Sequence, residues 1–469
     1  MTASARRHPA RPSLLIASLI LATFVTAVTS TSIVAVLPAV SASFQITQPQ
    51  SAWLVTTAVL AATASLGAWS AMARGTDGRI VLLIALSLFV VTAVAIPFAD
   101  DWATTLVLRA LQGMSIGGVH VTTQVVIAAA MSPRERSRYL GHFAVAAALS
   151  TISGPSIGGL ITETLGWQYV FLIPAPFGVL AVIGLLALPR SPLLRPQSAP
   201  LMSALLLAIV STGALLSLEW AGGGLDGLAG IVAAVAAVLA LVPLLLLQHR
   251  GGWPVLAYRR EGGRGIGLLG LASLTSGAVF LGALVLLSQY FQISQRQSAF
   301  DAGISLVPMV AGTVLAATLI GAIATRTGRW KESVLASAAL TLVGVVALGL
   351  TLPQGGWLVY LGMTLLGIGV GGMSPQTHLL IAHHLGGAEH VGFSSALIAF
   401  TRNLGSAVGV ATGAIVVGVL LTSWGIDQLT PSPESFAAAS SITFLCMSPI
   451  AAIALACVAL LPGSRLRDE

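Results

Sequence analysis

Residues 104–123 read TTLVLRALQGMSIGGVHVTT, an apolar stretch of helical length that contains one arginine, Arg109. A charge at the centre of a membrane-spanning helix costs roughly 3 kcal/mol on insertion scales. Charges that persist at this depth face a bundle interior or a polar cavity, and they mark functional sites. The stretch therefore predicts an integral membrane protein with Arg109 as its first candidate functional residue.

The composition of the whole chain agrees with this prediction. Its 469 residues are 56% hydrophobic and only 8% charged, whereas a soluble domain carries about 25% charged residues. A large soluble enzyme is thereby excluded. The net charge of +7 comes from small scattered groups without a dense basic face, which argues against a nucleic-acid partner. Cys446 and Cys457 are too far apart along one predicted helix to form a disulfide.

Apolar segments long enough to cross a bilayer, about 20 residues each, occur throughout the chain. The first runs from Leu14 to about Val40, too long for the core of a signal peptide. The connections between segments leave no room for a soluble domain. The predicted spans number fourteen: 13–40, 51–73, 79–98, 103–130, 139–164, 169–189, 201–218, 227–247, 265–291, 302–324, 333–352, 357–382, 391–422 and 438–462.

The basic residues fix an orientation for these spans. With a cytoplasmic N-terminus, nineteen of the 22 basic residues fall in cytoplasmic segments, and Arg296 alone falls on the opposite face. The remaining two, Arg109 and Arg402, lie inside helices. This bias follows the positive-inside rule and predicts a multi-pass protein of the cytoplasmic membrane with both termini in the cytoplasm. The nine tryptophans lie near predicted helix ends or in loops, as in an aromatic belt, with Trp53 and Trp69 as candidate exceptions.

Two inter-helix stretches resemble each other, AWSAMARGTDGRIVLL (68–83) and LIGAIATRTGRWKESVL (319–335). Each follows the second helix of a six-helix group. We therefore predict an all-α fold of two six-helix halves, 1–190 and 264–469, with a two-helix insertion over 191–263. Matched halves indicate a transporter whose substrate site lies between them near mid-membrane.

The motif RALQG places Arg109 and Gln112 on one face of the fourth helix. A fixed cation there can hold a hydrogen-bonded network or lower the proton affinity of a nearby acid. Gly113 and Gly117 form a G-x-x-x-G that allows a neighbouring helix to approach closely. The alternative for Arg109 is a packing residue bonded to backbone carbonyls.

The fifth helix carries SGPSIGG, in which a proline that kinks the helix is surrounded by glycines suited to close packing. With RALQG, this G-P-x-x-G-G motif resembles the fourteen-helix drug:proton antiporter branch of the major facilitator superfamily. The resemblance implies that fold and an antiporter hinge or a tight seal between the halves. The motif residues are Gly154, Pro155, Gly158 and Gly159.

The resemblance also implies a cytoplasmic latch with the pattern G-x-x-x-D-R-x-G-R. Neither copy keeps the acid in register, since Gly75 and Thr325 stand at its place, and Asp77 is the substitute that the first copy offers. The alternative for the first copy is an ordinary basic turn containing glycine. The latch candidates are Asp77, Gly78, Arg79, Gly321, Arg326, Gly328 and Arg329.

A proton antiporter needs a titratable group, and the acid that the branch often has in its first helix is replaced here by Thr29. The remaining candidates are Glu163, near an outer helix end, and two intramembrane histidines, His120 and His378. Each histidine has the alternative of a packing residue. Arg402 matches an R-x-x-G-x-x-x-G pattern of the branch on the thirteenth helix and has the same alternative.

These features predict a secondary active transporter that exports lipophilic small molecules by proton antiport and alternating access. It needs no cofactor and no metal, because the proton gradient supplies the energy. An exporter of one metabolite or siderophore is the alternative, and an integral membrane enzyme is the third reading, since His383, His384 and His390 form the only histidine cluster. The expected partners are the substrate and the bilayer, and the sequence leaves open a periplasmic adaptor. Two buried arginines favour neutral, zwitterionic or anionic substrates.

Overall fold

The computed structural model describes residues 12–130, 133–187, 263–327, 330–374, 377–378, 381 and 391–461, with five single positions between 209 and 240. The regular elements in these ranges are all helical. In chain order they are α1 Pro12–Phe44, α2 Gln48–Gly75, α3 Gly78–Ala95, α4 Trp102–Ala130, α5 Pro133–Thr164, α6 Tyr169–Leu172, α7 Pro174–Leu186, α8 Gly263–Ile293, α9 Ala299–Ser305, α10 Val307–Thr327, α11 Trp330–Thr351, α12 Trp357–Gly372, α13 Val391–Ser423 and α14 Pro433–Ala459.

Within the described residues, ten helical spans are long and apolar enough to cross a membrane, and α12 is a shorter apolar helix. The helix α4 has the same length as these spans and is more polar, because it carries Arg109, Gln112 and His120. Together with the family match below, these helices make the protein a multi-pass membrane protein. The predicted helices 201–218 and 227–247 lie outside the described residues apart from the five single positions, so the count of fourteen stays a prediction.

Helices occupy the other twelve predicted segments, with local breaks, and ten of these segments are confirmed as long and apolar enough to cross a membrane. The span 169–189 divides into α6 and α7 where Pro174 begins a new helix, as proline favours the first helical position. The span 302–324 divides into α9 and α10 at Leu306. The helix α12 ends at Gly372, ten residues before the predicted end at 382, because the glycine pair precedes Pro375, and a proline disfavours helical backbone in the residue before it.

The helices form an N-terminal bundle, α1–α7, and a C-terminal bundle, α8–α14. In the first, α1 packs on α5 and α7, and α4 packs on α2 and α3. In the second, α8 packs on α13, and α11 packs on α12 and α14. The boundaries of the three predicted domains remain a prediction.

The two bundles are joined at one face of the molecule. We call the face at which α1 begins and α14 ends the proximal face, and the face at which α1 ends and α4 begins the distal face. Toward the distal face one apolar core includes residues of both bundles, such as Leu37 of α1 and Leu287 of α8. Toward the proximal face the described residues form two separate cores, one around Leu82 and one around Trp330.

Three tryptophans are buried between helices and do not belong to an aromatic belt. Trp69 was one of the two candidate exceptions, and the belt prediction is wrong for Trp167 and Trp330. The indole of Trp69 donates to the Met114 carbonyl at 2.9 Å, and that of Trp167 donates to Ser43 Oγ at 3.0 Å. Trp330 is fully buried, whereas Trp357 is 71% exposed, as a belt residue would be. Cys446 and Cys457 are free thiols, as predicted.

Candidate functional site

Arg109 lies in α4, seven residues from its distal end, and is 1% exposed. Its Nε donates to the Leu54 carbonyl of α2 at 3.0 Å, and its Nη1 donates to Gln112 Oε1 at 2.5 Å. The guanidinium carbon lies 5.2 Å from the ring centroid of Phe171 in α6, within the range of a cation–π contact. All these partners are neutral, which matches the packing alternative for Arg109 and leaves a role in coupling as a prediction.

The two glycines that follow Arg109 make its close fit to α2 possible. A Cβ atom at Gly113 would overlap the Ala58 backbone, and one at Gly117 would lie 2.5 Å from the Ala62 carbonyl oxygen. The close approach predicted from the G-x-x-x-G spacing is confirmed. It brings the Leu54 carbonyl within reach of Arg109, while Nε2 of Gln112 stays buried without a hydrogen-bond partner.

The G-P-x-x-G-G motif of α5 faces both bundles at once. Gly154 and Gly158 approach Thr31 and Ser32 of α1. A Cβ at Gly159 would overlap the backbone of Ala299 in α9, across the gap between the bundles.

The contact is reciprocal, because a Cβ at Gly303 of α9 would lie 2.6 Å from the backbone of Ser156 and 2.7 Å from that of Pro155. Glycines on both helices therefore let the backbones touch. The motif forms a tight contact between the halves at the distal face, one of the two arrangements expected from its residues.

A second connection between the bundles forms at a proline of α1. Pro38 has no N–H, so it leaves the Val34 carbonyl without its usual helical donor. Ser288 Oγ of α8 donates to this carbonyl at 3.2 Å, and Gln292 Nε2 donates to the neighbouring Ala35 carbonyl at 3.2 Å. Ser288 was not predicted from the sequence, although Pro38 was a signal that a carbonyl of α1 needs a donor.

Glu163 adds a polar contact at the distal edge of this seam. Its side chain is exposed, and Oε1 accepts from the Phe300 N–H of α9 at 2.5 Å. The carboxylate of one bundle therefore holds the first turn of a helix in the other. Its function as a proton carrier stays a prediction.

The other predicted proton sites lie apart from Arg109. Thr29, at the position of the missing acid, is buried, and its hydroxyl donates to the Val25 carbonyl of the same helix at 2.9 Å. His120 follows Arg109 by eleven residues on nearly the same side of α4, about 16 Å closer to the proximal face. Its side chain is exposed.

Arg402 lies in α13 and is partly buried, with its guanidinium carbon 5.8 Å from the ring centroid of Phe280 in α8. Its Nη1 is buried and has no hydrogen-bond partner. His378 is fully buried, and neither of its ring nitrogens has a hydrogen-bond partner. Ile381, about one turn after His378, and Ile398, about one turn before Arg402, belong to one apolar core, so the two residues lie in the same part of the C-terminal bundle.

The described latch residues of the first copy make contacts within the N-terminal bundle. Asp77 begins α3 by accepting from the Arg79 N–H at 3.0 Å, and Arg79 Nη2 donates to the Leu186 carbonyl at 2.6 Å. A Cβ at Gly78 would lie 3.2 Å from Val126. Gly321 lies in α10 with open space beside its Cα. The Arg326 side chain, Gly328, Arg329 and the histidine cluster at 383–390 lie outside the described residues.

Residues 19–410 match the model of the Major Facilitator Superfamily, and the chain belongs to this family of membrane transporters. It is 29% identical over 443 residues to an uncharacterized MFS-type transporter of Mycobacterium tuberculosis, strain H37Rv, covering 91% of this chain and 64% of that protein. The chain thus spans less than two thirds of that relative. The family match favours a transporter over the membrane enzyme.

Two further relatives are named for multidrug transport. The chain is 24% identical over 448 residues to the multidrug transporter protein MdtP of Bacillus subtilis, strain 168, covering 94% of this chain and 82% of that protein. It is 25% identical over 402 residues to the multidrug resistance protein Stp of Mycobacterium tuberculosis, strain H37Rv, covering 85% and 74%.

Among solved structures, a bacterial homologue of the human lysosomal transporter Spinster, in an inward-facing and occupied conformation, superposes with a TM-score of 0.69. The two chains are 13% identical, and 96% of each is covered. At this identity the likeness shows a shared fold.

Proposed function

We propose that the protein is a secondary active exporter that moves lipophilic small molecules across the cytoplasmic membrane in exchange for protons. The observation that carries the proposal is the distal contact of Gly159 in α5 with Ala299 in α9. Because the described residues form separate apolar cores at the proximal face, we infer that the space between the bundles opens toward the face predicted to be cytoplasmic. An exporter collects its substrate from that side.

The named relatives support multidrug efflux as the transport activity. Two of them, at about 25% identity, are multidrug proteins, and the G-P-x-x-G-G motif is the antiporter signature of the branch that the chain resembles. Alternating access then requires the distal seal to open while the proximal ends of the bundles approach each other.

Glu163 is the proton carrier that this mechanism favours. Its carboxylate accepts from the Phe300 N–H across the seam between the bundles, and a hydrogen bond to a charged acceptor is stronger than one to a neutral acceptor. Protonation from the distal side therefore weakens the seal and favours the outward-open state. The proton is released toward the proximal side when the seal forms again and the Phe300 N–H again favours the carboxylate. The periplasmic adaptor used by some relatives stays an open prediction.

The test is transport into everted vesicles that contain the full chain and a pH-sensitive dye in the lumen. A panel of lipophilic cationic, neutral and anionic compounds is added after the lumen has been acidified. Each exported compound should raise the luminal pH, because protons leave as substrate enters. Transport that survives an uncoupler would contradict proton antiport, and transport of a single compound would favour the metabolite or siderophore exporter.

Variants connect this assay to the structure. Glu163→Gln should bind substrate and lose most of the luminal pH change, and Glu434→Gln, which alters another carboxylate, in the first turn of α14, should leave it intact. Gly159→Val should abolish transport because the new side chain would separate α5 from α9. Gly267→Val is its matched control, since a Cβ there meets no atom within 4 Å.

A further inference from the structure

The C-terminal bundle contains three buried nitrogen atoms without hydrogen-bond partners in one small region. They are Nη1 of Arg402 and both ring nitrogens, Nδ1 and Nε2, of His378. His378 is fully buried, and one apolar core contains both Ile381, about one turn after His378, and Ile398, about one turn before Arg402. Buried polar atoms in native proteins normally have partners, so each unpartnered one needs an explanation.

Three serine hydroxyls of α8 and α13 in this part of the bundle donate to backbone carbonyls. Ser273 donates to the Ile398 carbonyl at 3.1 Å, Ser276 to the Ser273 carbonyl at 3.0 Å, and Ser406 to the Gly277 carbonyl at 3.3 Å. None of these hydroxyls is hydrogen-bonded to the three nitrogens of Arg402 and His378.

Arg402 lies close to a contact between the bundles, and its side chain is partly exposed while Nη1 itself is buried. Five residues further along α13, Ala407 packs with Leu60 of α2 in the other bundle. Arg402 therefore lies about 7.5 Å to the proximal side of a contact that joins the bundles. Its side chain is partly exposed, and its guanidinium stands over the ring of Phe280.

We propose that Arg402 and His378 bind the anionic group, a carboxylate or a sulfonate, of a lipophilic substrate. An anionic oxygen accepts from Arg402 Nη1 and from the N–H of a neutral imidazole, which has one donor nitrogen. Phe280 offers an apolar surface beside the cation for the rest of the molecule. That the bound anion is a transported substrate rests on the export function proposed above, whereas the binding of the anion does not depend on it.

Arg109 provides the contrast that makes the assignment specific. Its guanidinium is bonded to Leu54 and Gln112 and is 1% exposed. A ligand there would have to displace internal hydrogen bonds, whereas a ligand at Arg402 completes missing ones. The anion site therefore belongs to the C-terminal bundle.

The test measures equilibrium binding to the purified full chain in nanodiscs, without a proton gradient. The probes are three naphthalene compounds of similar size, 2-naphthylacetate, 2-naphthaleneethanol and 2-naphthylethylammonium, which are anionic, neutral and cationic. The wild type should bind the anion about tenfold or more tightly than the neutral compound, as expected for a charge-assisted hydrogen bond.

Arg402→Gln should remove this preference and leave the affinity for the neutral compound within about twofold of that of the wild type. Unchanged binding of the neutral compound shows that the site is still folded. Arg402→Lys should keep part of the preference, because the charge remains without the planar fork. His378→Leu should reduce it. Arg296→Gln, which alters an exposed arginine outside the helices, is the matched control and should change nothing.

Equal weakening of all three compounds in Arg402→Gln would identify Arg402 as a packing residue and overturn the proposal. An anion preference that persists in that variant would overturn it as well. Because binding is measured without transport, failure of export in vesicles leaves this result intact, and loss of anion preference leaves the export of neutral or cationic compounds intact.

Discussion

Arg109 in α4 and Arg402 in α13 each precede a pair of glycines spaced by four residues, and each pair fits its helix closely to a neighbour. In α4 the pair is Gly113 and Gly117, which meet the α2 backbone. In α13 the pair meets the α8 backbone at Leu274 and Ala278, and consists of Gly405 and Gly409. The two bundles therefore use the same packing device beside their intramembrane arginines.

The two arginines differ in whether their guanidinium N–H groups have hydrogen-bond partners. Arg109 is sealed, with a backbone carbonyl, the Gln112 amide and the Phe171 ring around its guanidinium. Arg402 is partly exposed and has one aromatic contact and a free Nη1. The two arginines are packed alike and differ in their hydrogen bonds, which supports the proposal that Arg109 holds structure while Arg402 binds a ligand.

The largest expected effect comes from removing the packing that the two helices share. Gly113→Val and Gly405→Val would each place side-chain atoms on a backbone carbonyl, of Ala58 or of Leu274. Overpacking of this kind costs about 1–3 kcal/mol, sometimes more. Both variants should melt at lower temperature than the wild type in detergent and reach the membrane in lower yield.

Gly413→Val, also in α13, is the matched control, because a Cβ at that position meets no atom within 4 Å. Its thermal midpoint should stay close to that of the wild type. If Gly405→Val behaved like this control while Gly113→Val melted early, the two arginine helices would not share one packing device.

A smaller effect should separate the two arginines themselves. Arg109→Met leaves Gln112 buried with neither amide atom paired, which should cost about 1–3 kcal/mol of unfolding free energy. Adding Gln112→Leu should recover much of this loss, because an apolar pair of similar volume leaves no polar group unpaired. Arg402→Met removes a buried donor that has no partner and should be neutral or stabilising.

The measurement is reversible unfolding in mixed micelles for the single and double variants, analysed as a double-mutant cycle at Arg109 and Gln112. A coupling near zero would show that the hydrogen bond between them contributes nothing. A loss at Arg402→Met as large as that at Arg109→Met would mean that both arginines hold structure, and the contrast between the bundles would disappear.

The sequence predicts the helices well because apolar length and flanking charge are local properties. It also predicts the partnership of Arg109 with Gln112, which lie one turn apart on one helix. Leu54 and Phe171 could not be predicted as partners, because they come from other helices and depend on how closely α4 approaches them. The same reason hides Ser288, since the register of α8 against α1 decides which residue stands opposite Val34.

Whether an intramembrane arginine finds hydrogen-bond partners is also a property of tertiary packing. The patterns around Arg109 and Arg402 look alike in sequence, and both residues have the same two interpretations, a functional cation or a packing residue. The structure distinguishes them through neighbours that are distant along the chain, Leu54 at one site and Phe280 at the other.

The smallest expected effect concerns the start of the Arg109 helix, at the distal edge outside the membrane span. Asp101 accepts from the Thr104 N–H at 2.8 Å and from Thr104 Oγ1 at 2.6 Å. These hydrogen bonds lower the pKa of the Asp101 carboxyl from its usual value of 3.8. A lowered pKa in the folded state stabilises the fold above the unfolded value, and this stabilisation is lost as the pH falls through the folded value.

The difference in thermal midpoint between wild type and Asp101→Asn should therefore be constant from pH 5 to pH 8 and shrink below about pH 4. A difference that changes between pH 5 and pH 8 would contradict the assignment. Because Asp101 stays ionised throughout that range, Asp101→Asn should not alter the pH dependence of transport. A pH dependence that Glu163→Gln removes and Asp101→Asn retains would then belong to the contact between Glu163 and Phe300, where the two bundles meet.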